Sequence, residues 1–574
     1  MTKRLVLWTG ILALAVFLAH VEVSVFAADD GASAPRMDVI DYSVLDNPNN
    51  AISAIFQVQG TGISSASVEY TCTDCGPEGS PDDWLSTPSF SVASDRFVLP
   101  VLGLEPNSSY LMKAVLVGPG GGREETAPLP FQSGAIPAEL DLSFTAWGEN
   151  ASPGFVFVSQ NFYMSRAAGF IIALDTDGDI AWYTHVPKTT TQSLVRISVF
   201  GTLLLYTTGA DRPRQYLEID LFGNVTSVHE LPLLPGEEEG DVLLDNHEII
   251  LIPNGDKVFL TSMNYTMDLT EYSGLPDATL LSHGIRRVAS GGTITFDWDY
   301  LDAFPLTDTT EDLGASLVDW THANSIDIDE DGHYVLSSRN FCEVTKINSV
   351  DGSVIWRLGG KHSDFTFVND DLDGFSHQHS AIMLDGNRLL MFDNGNFHDP
   401  QESRAVEYEL DYEAMTATVV WEYRHDPIRF SRALCNAQRL PGGNTLVNYG
   451  ILQTGPTRIV EATPMGWPVW EAIVPYDFAN SGAYRAFKIE DLYFGAHRVG
   501  AYLDQDGDEW FGYFDCDDQA PGSYPGAEDS CDGIDQNCDG IDGIPEIPDN
   551  GLDDDCDGLV DETDACFIGA GLDS

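Results

Sequence analysis

Between residues 140 and 498 the chain repeats itself, and a repeat of this period admits few folds. One half-unit runs apolar-x-apolar-Asp, a short turn with glycine, then an apolar pair closing on tryptophan. It occurs as Ile172 to Trp182, Val344 to Trp356, Val406 to Trp421 and Ile459 to Trp470, with Leu217 to Val225 and Thr293 to Asp299 as weaker copies. The other half-unit is a hairpin about a glycine turn: Ile249 to Leu260 across Asn254-Gly255, Ile326 to Leu336 across Asp331-Gly332, Ile382 to Met391 across Asp385-Gly386, and Leu440 to Val447 across Gly442-Gly443. Two hairpins make one four-stranded unit. With the less regular Phe155 to Phe162 and Leu194 to Tyr206 added, the pattern predicts six such units. The radial arrangement that leaves only short edges is a six-bladed β-propeller over 140–498; an irregular double sandwich is the alternative.

Residues 37–136 alternate short Val/Ile/Phe/Tyr-rich runs with Gly/Pro/Asn/Asp turns, which predicts a β-sandwich ahead of the propeller. Leu104-Glu-Pro106-Asn-Ser-Ser-Tyr110 resembles the turn and tyrosine corner of fibronectin type III modules. Gly118 to Gly122 reads as a hairpin loop, since no Lys-Ser/Thr or helix follows it. Residues 1–28 read as a secretory signal peptide, with Lys3 and Arg4 before an apolar run and Val25-Phe26-Ala27 at the cleavage position. No other stretch is apolar enough to span a bilayer, so the expected mature protein is exported, to the periplasm or cell surface, without a transmembrane segment. In an oxidising compartment the nine cysteines favour disulfides, and Cys72-Thr-Asp-Cys75 suits a local one. The fold class expected is therefore all-β: a sandwich, a propeller, and a small acidic tail that depends on metal and disulfides.

With 28 Lys+Arg against 90 Asp+Glu and no basic cluster beyond the first few residues, nucleic acid and anionic membrane are not expected partners. Against that background the residues at the starts of the hairpin half-units stand out. Counting back from the hairpins gives His247, His322, His379 and Cys435 at equivalent offsets. A propeller's first strand is its innermost, so these side chains face the central funnel. Arg339 ends the strand that returns from His322, and an antiparallel return places it at the same rim. Three imidazoles suit Zn²⁺, but a fixed guanidinium beside them favours an anion: a sulfate, phosphate or carboxylate.

Five groups of motifs then carry a family resemblance. Asp319-Trp320-Thr-His322-Ala-Asn324-Ser325, Leu336-Ser-Ser338-Arg339-Asn340, Val354-Ile-Trp356-Arg-Leu-Gly-Gly360, His377-Gln378-His379-Ser-Ala, and Phe392-Asp393-Asn394-Gly395-Asn396 followed by Ser403-Arg404-Ala-Val-Glu407-Tyr408 look like those of bacterial arylsulfate sulfotransferases, in matching order. The resemblance implies a six-bladed propeller behind a small sandwich. It also implies transfer of a sulfuryl group from a phenolic sulfate donor to a phenol acceptor without a nucleotide or other cofactor for catalysis. Carried over by residue, it makes His379 the nucleophile and sets His322, Arg339 and His247 around the sulfuryl group. The chemistry is consistent: neutral imidazole attacks sulfur, and an N-sulfated histidine splits one transfer into two easier ones. Two other classes remain: a propeller that binds an anionic ligand or scaffolds a surface assembly without turnover, and a quinone-cofactor dehydrogenase, which accounts for the tryptophans but not for the His/Arg set. Donor, acceptor and oligomeric state stay open.

Residues 501–574 hold 23 Asp+Glu and no Lys or Arg. Gly533-Ile-Asp535-Gln-Asn537-Cys538-Asp539-Gly540 recurs 18 residues later as Gly551-Leu-Asp553-Asp-Asp555-Cys556-Asp557-Gly558, behind Asp504-Gln-Asp506-Gly-Asp508. The stretch 501–566 looks like the Asp/Cys-rich metal-binding repeats of exported bacterial proteins. Alternate carboxylates suit a hard cation, so Asp504, Asp506, Asp508, Asp535, Asp539, Asp553 and Asp557 are expected to bind Ca²⁺.

Overall fold

In the repeat, the aspartate and the glycine have separate tasks. Asp175 Oδ1 accepts the backbone N–H groups of Asp177 and Asp179, each at 2.9 Å, which closes the turn from the side chain. Gly178 takes φ +90°, and a Cβ there would lie 2.9 Å from the nitrogen of Ala146. Asp220 and Gly223 repeat the device, with a Gly223 Cβ falling 2.4 Å from Thr184 Oγ1. Hairpins with such turns fix strand register.

The computed structural model describes residues 37–493 except 76–83, 93, 141, 160–168, 187–190, 210–211, 239 and 476–481, together with 520, 522, 523 and 536. The expected leader over 1–28 and all seven aspartates assigned to a metal in the tail lie outside the described residues. The chain is nearly all β. Six sheets, each with four antiparallel strands, follow one another from residue 155 onward. Their innermost strands are Ala486–Ile489, Thr191–Ile197, Val242–Leu251, Ala323–Ile328, His379–Leu384 and Asn436–Arg439, and each contacts the next around a closed ring. The ring is completed by the chain's later end: Ala486–Ile489 pairs antiparallel with Phe155–Ser159. Thr145–Gly148 adds a fifth strand outside Pro468–Val474.

The repeated tryptophans join neighbouring sheets. Four of them sit on the fourth strand from the axis, and the indole N–H of each donates to the outer turn of the next sheet: Trp182 to Leu221 O (2.8 Å), Trp298 to Gly352 O (3.0 Å), Trp421 to Thr463 O (3.1 Å) and Trp470 to Thr176 O (2.7 Å). The last of these links the sixth sheet back to the first. Near the axis, side chains replace the missing ladder between sheets. Asn436 exchanges two hydrogen bonds with Ala486 (2.8 and 2.9 Å), and Gln438 exchanges two with Lys488 (2.9 and 2.7 Å).

Ahead of the ring, a three-stranded sheet (Asp38–Asp46, Ala54–Thr61, Arg96–Val101) packs on a second sheet built on Ser65–Cys72 and Ser109–Val117. Tyr110 Oη accepts the Glu105 N–H at 2.7 Å, forming the corner read in the sequence. Val117 leads into Arg123–Glu125 across Gly118–Gly122 as a hairpin, and Cys72 is bonded to Cys75. The sandwich is seated on the first two sheets of the ring: the Ala51 N–H donates to Tyr183 Oη at 2.8 Å and Asn47 Nδ2 to Phe222 O at 3.2 Å. Cys342 and Cys435 are free, buried thiols; burial pushes each up to about 11 and leaves them unreactive. No helix among the described residues is long and apolar enough to cross a membrane.

Candidate active site

The three predicted histidines lie on or beside the inner strands of the third, fourth and fifth sheets; His322 and His379 stand at the strand start, as expected, whereas His247 falls inside Val242–Leu251, where the chain bulges. His247 sits at a register break between Leu244 and Ile249, His322 directly precedes Ala323–Ile328, and His379 opens His379–Leu384. Cys435 holds the same place before Asn436–Arg439. The main chain turns sharply into the axis here: His322, His377, Ser380 and Cys435 all have φ between 46° and 88°. Such left-handed turns of non-glycine residues cost roughly 1 kcal/mol or more each and persist only where packing imposes them. The Arg339 N–H donates to His322 O at 3.0 Å, so the guanidinium begins at the rim of that imidazole, as the antiparallel return requires.

Each imidazole has a different second partner. His247 Nδ1 lies 2.6 Å from Asp245 Oδ1, and the other oxygen of the same carboxylate is 3.5 Å from Nε2 of His283. His283 is buried and its Nδ1 meets Thr321 Oγ1 at 2.7 Å. Burial lowers the pKa of His283, but its bond to Asp245 and that carboxylate's charge outweigh this and the net shift is upward. Burial opposes the charge on Asp245, yet the two imidazoles hold it well below the usual carboxylate range. His322 Nδ1 bonds to Asp319 Oδ2, and burial keeps that ring below its ordinary pKa despite the carboxylate. The His247 and His322 ring centroids are 5.2 Å apart.

His379 is only 2% exposed. Its Nδ1 lies 2.7 Å from Asn394 Oδ1 and 3.1 Å from His377 O. Burial, then the positive field of Arg339 and the neighbouring His322, push its pKa well below 6.5, so the ring is neutral at pH 7. Arg339 forms no ion pair among the described residues; its Nη1 donates to Asn340 Oδ1 at 2.6 Å, which leaves other guanidinium N–H groups for an anion. The structure thus brings His247, His322, His379 and Arg339 to one end of the axis. His377 lies outside the inner strand and packs against the exposed Phe397, ring centroids 4.6 Å apart.

Sequence reading missed the groups that orient these rings. Asp245 and Asp319 lie two and three residues before His247 and His322, a local spacing that offered a signal. His283 arrives from another strand and offered none, and Asn394, just after Arg388–Asp393, stood in a family motif without a role attached to it.

His377 is pushed down to about 3 by burial, Arg339 and His322. The unfolded chain takes up a proton on each such histidine near pH 6.5, whereas the folded chain does not. Stability is therefore lost as pH falls from 6.5 toward 3. We expect His377→Gln to flatten that loss in urea titrations at successive pH values; a midpoint that falls as steeply as in the native chain contradicts this account.

The arylsulfotransferase (ASST) family model matches residues 148–485, and a metal-binding motif labelled Cu-binding MopE matches 515–543 and 541–562. No curated protein gives a significant match. Among solved structures, the chain is similar to a protein of unknown function from Bacteroides caccae, at 12% identity over 59% of this chain and 100% of that one, TM-score 0.38. It is also similar to virginiamycin B lyase from Staphylococcus aureus, at 11% over 58% and 100%, TM-score 0.28. A third is a streptogramin B lyase, at 9% over 64% and 90%, TM-score 0.28. Likenesses of this size carry no argument about activity.

Proposed function

The chain belongs to the arylsulfotransferase (ASST) family, and from that premise we propose that it moves a sulfuryl group from a phenolic sulfate ester to a phenol through a sulfohistidine at His379. The observation that carries this reading is a neutral, buried imidazole under the positive field of an arginine that has no ion-pair partner among the described residues. In the first half-reaction the Nε2 lone pair of His379 attacks sulfur. The bond from sulfur to the aryl oxygen breaks, its electron pair leaves on that oxygen, and His247 passes that oxygen a proton. Arg339 binds the non-bridging oxygens, whose charge it complements in the transition state. In the second half-reaction the acceptor oxygen attacks sulfur while neutral His322, oriented by Asp319, takes its proton; the Nε2–S bond breaks and returns its pair to His379. The proton passes from His322 to the adjacent His247, and the cycle closes.

The test is acceptor-dependent release of a chromogenic phenol from its sulfate ester by the purified full chain. Release that needs an added phenol supports transfer. Release into water alone identifies a sulfatase, and none from any donor leaves a binding protein. Asp319→Asn should lower kcat/KM by about tenfold to a hundredfold, because an amide does not stabilise the imidazolium formed as the acceptor's proton arrives; an unchanged value removes Asp319 from the proton path.

We also propose export by the leader over 1–28, a fibronectin type III kinship for the sandwich, and metal-dependent folding of the tail. The aspartate donors of the tail suit Ca²⁺, whereas the matched motif carries a copper label. Protease digestion of the full chain in chelator, in Ca²⁺ and in Cu²⁺ distinguishes these: the metal that protects the tail is its ligand, and equal digestion in all three refutes metal dependence. A chain ending at residue 498 should keep full transferase activity, since the histidines and Arg339 all lie before it.

A further inference from the structure

Resting on His379 as the attacking group, we infer that Asn394 is a positioning residue that selects which nitrogen of His379 is nucleophilic. Asn394 is fully buried and directly follows Arg388–Asp393, the strand that pairs with the start of His379–Leu384. An amide's oxygen and nitrogen are told apart by their partners. Asn394 Nδ2 lies 2.7 Å from Ser431 O and 3.4 Å from Leu434 O, both carbonyl acceptors. A flipped amide would set its oxygen against two carbonyl oxygens, so the orientation is determined. The surrounding main chain is held as well: Ser403 Oγ donates to Asn394 O at 2.7 Å and accepts the Ser431 N–H at 2.8 Å.

Asn394 Oδ1 therefore faces His379 Nδ1 at 2.7 Å, with His377 O as a second acceptor at 3.1 Å. Neither group has a proton to give, so Nδ1 must carry the ring's hydrogen. In a neutral imidazole the other nitrogen is then bare, and His379 Nε2 makes no hydrogen bond among the described residues. Without the amide, only the longer contact to His377 O still favours a hydrogen on Nδ1, and the tautomer with the hydrogen on Nε2, which lacks the lone pair that attacks sulfur, becomes more populated.

The neutrality of the amide matters separately. A carboxylate in its place would also fix the hydrogen on Nδ1, but it would favour the protonated ring before attack and stabilise the positively charged N-sulfated ring after it. An amide does the first task without imposing the second.

Two measurements test this. In the full chain labelled with ¹⁵N-histidine, the His379 signals, assigned by their loss in His379→Gln, should show a protonated Nδ1 and a bare Nε2 at pH 7. The opposite tautomer overturns the inference whatever the activity. The expected tautomer together with no reaction of any aryl sulfate refutes the transferase reading and leaves this assignment standing. In the active enzyme, Asn394→Leu should lower kcat by about tenfold to a hundredfold with the donor KM little changed, at every pH. Asn394→Asp should recover the rate at high pH while moving the acid limb of the profile upward by about two units. A native rate in Asn394→Leu, or an unmoved acid limb in Asn394→Asp, overturns the proposal.

Discussion

Replacing His379 by alanine is expected to lower acceptor-dependent phenol release by about 10⁴ or more, to the background of the assay. The loss follows from the two-step route: with no imidazole at the start of the fifth inner strand, sulfur has no nucleophile, and direct attack by a phenol must do without the covalent intermediate. His377→Ala should keep most of the activity. What the site takes from His377 is main chain: its carbonyl faces His379 Nδ1 and its backbone N–H meets the Cys342 thiol, and alanine retains both. Its ring packs on Phe397 and reaches Thr310 Oγ1 only at 3.5 Å. Trapping the sulfated enzyme with donor alone and mapping the acid-labile adduct by peptide mass decides between the two rings. An adduct on His377, or near-native turnover in His379→Ala, contradicts the assignment.

Arg339→Lys is expected to lower kcat/KM by about 10², equivalent to roughly 2.7 kcal/mol of transition-state stabilisation. The substitution keeps the formal charge, so the effect isolates geometry. Asn340 Oδ1 holds one arm of the guanidinium, and the remaining N–H groups form a planar fork that a lysine ammonium does not reproduce. Burial already presses the arginine below its ordinary pKa. The same surroundings act more severely on an ammonium, which gives up its proton more readily when desolvated. The variant should therefore lose additional activity toward high pH. Kinetics close to native across the pH range would take Arg339 out of the sulfuryl site.

The parts of the fold visible in the sequence are those set by forces between near neighbours. Asp175 and Gly178 build their turn from within five residues, and the same pattern recurs at Asp220 and Gly223, so the hairpins and their register could be read directly. Equivalent offsets then carried His247, His322 and His379 to the inner strands of three consecutive sheets, although His247 falls at a bulge within its strand rather than at the start. Arg339 followed because an antiparallel hairpin returns its chain to the level where it began. The family motifs contain three of these four residues, His322, Arg339 and His379, and pointed to the chemistry that joins them.

What the sequence left undetermined depends on groups far apart in the chain. Nothing in Ala486–Ile489 marks it as the partner of Phe155–Ser159; only closure of the ring, which removes two exposed edges at once, makes that pairing favourable. The tryptophans were legible as a repeat but not as donors to the next sheet's turn, because the accepting carbonyl belongs to another unit. The same holds within the site. The count of histidines and one arginine was legible, whereas the proton positions were not: His283 reaches Asp245 from a different strand, and the hydrogen on His379 is set by Asn394, itself oriented by Ser431. Short-range turn chemistry and period-two alternation act before the chain is folded, so the sequence by itself determined which residues enter the funnel. Tautomers and perturbed pKa values arise from desolvation and from fields that exist only once distant strands meet, and so the tertiary structure alone decided what each residue does there.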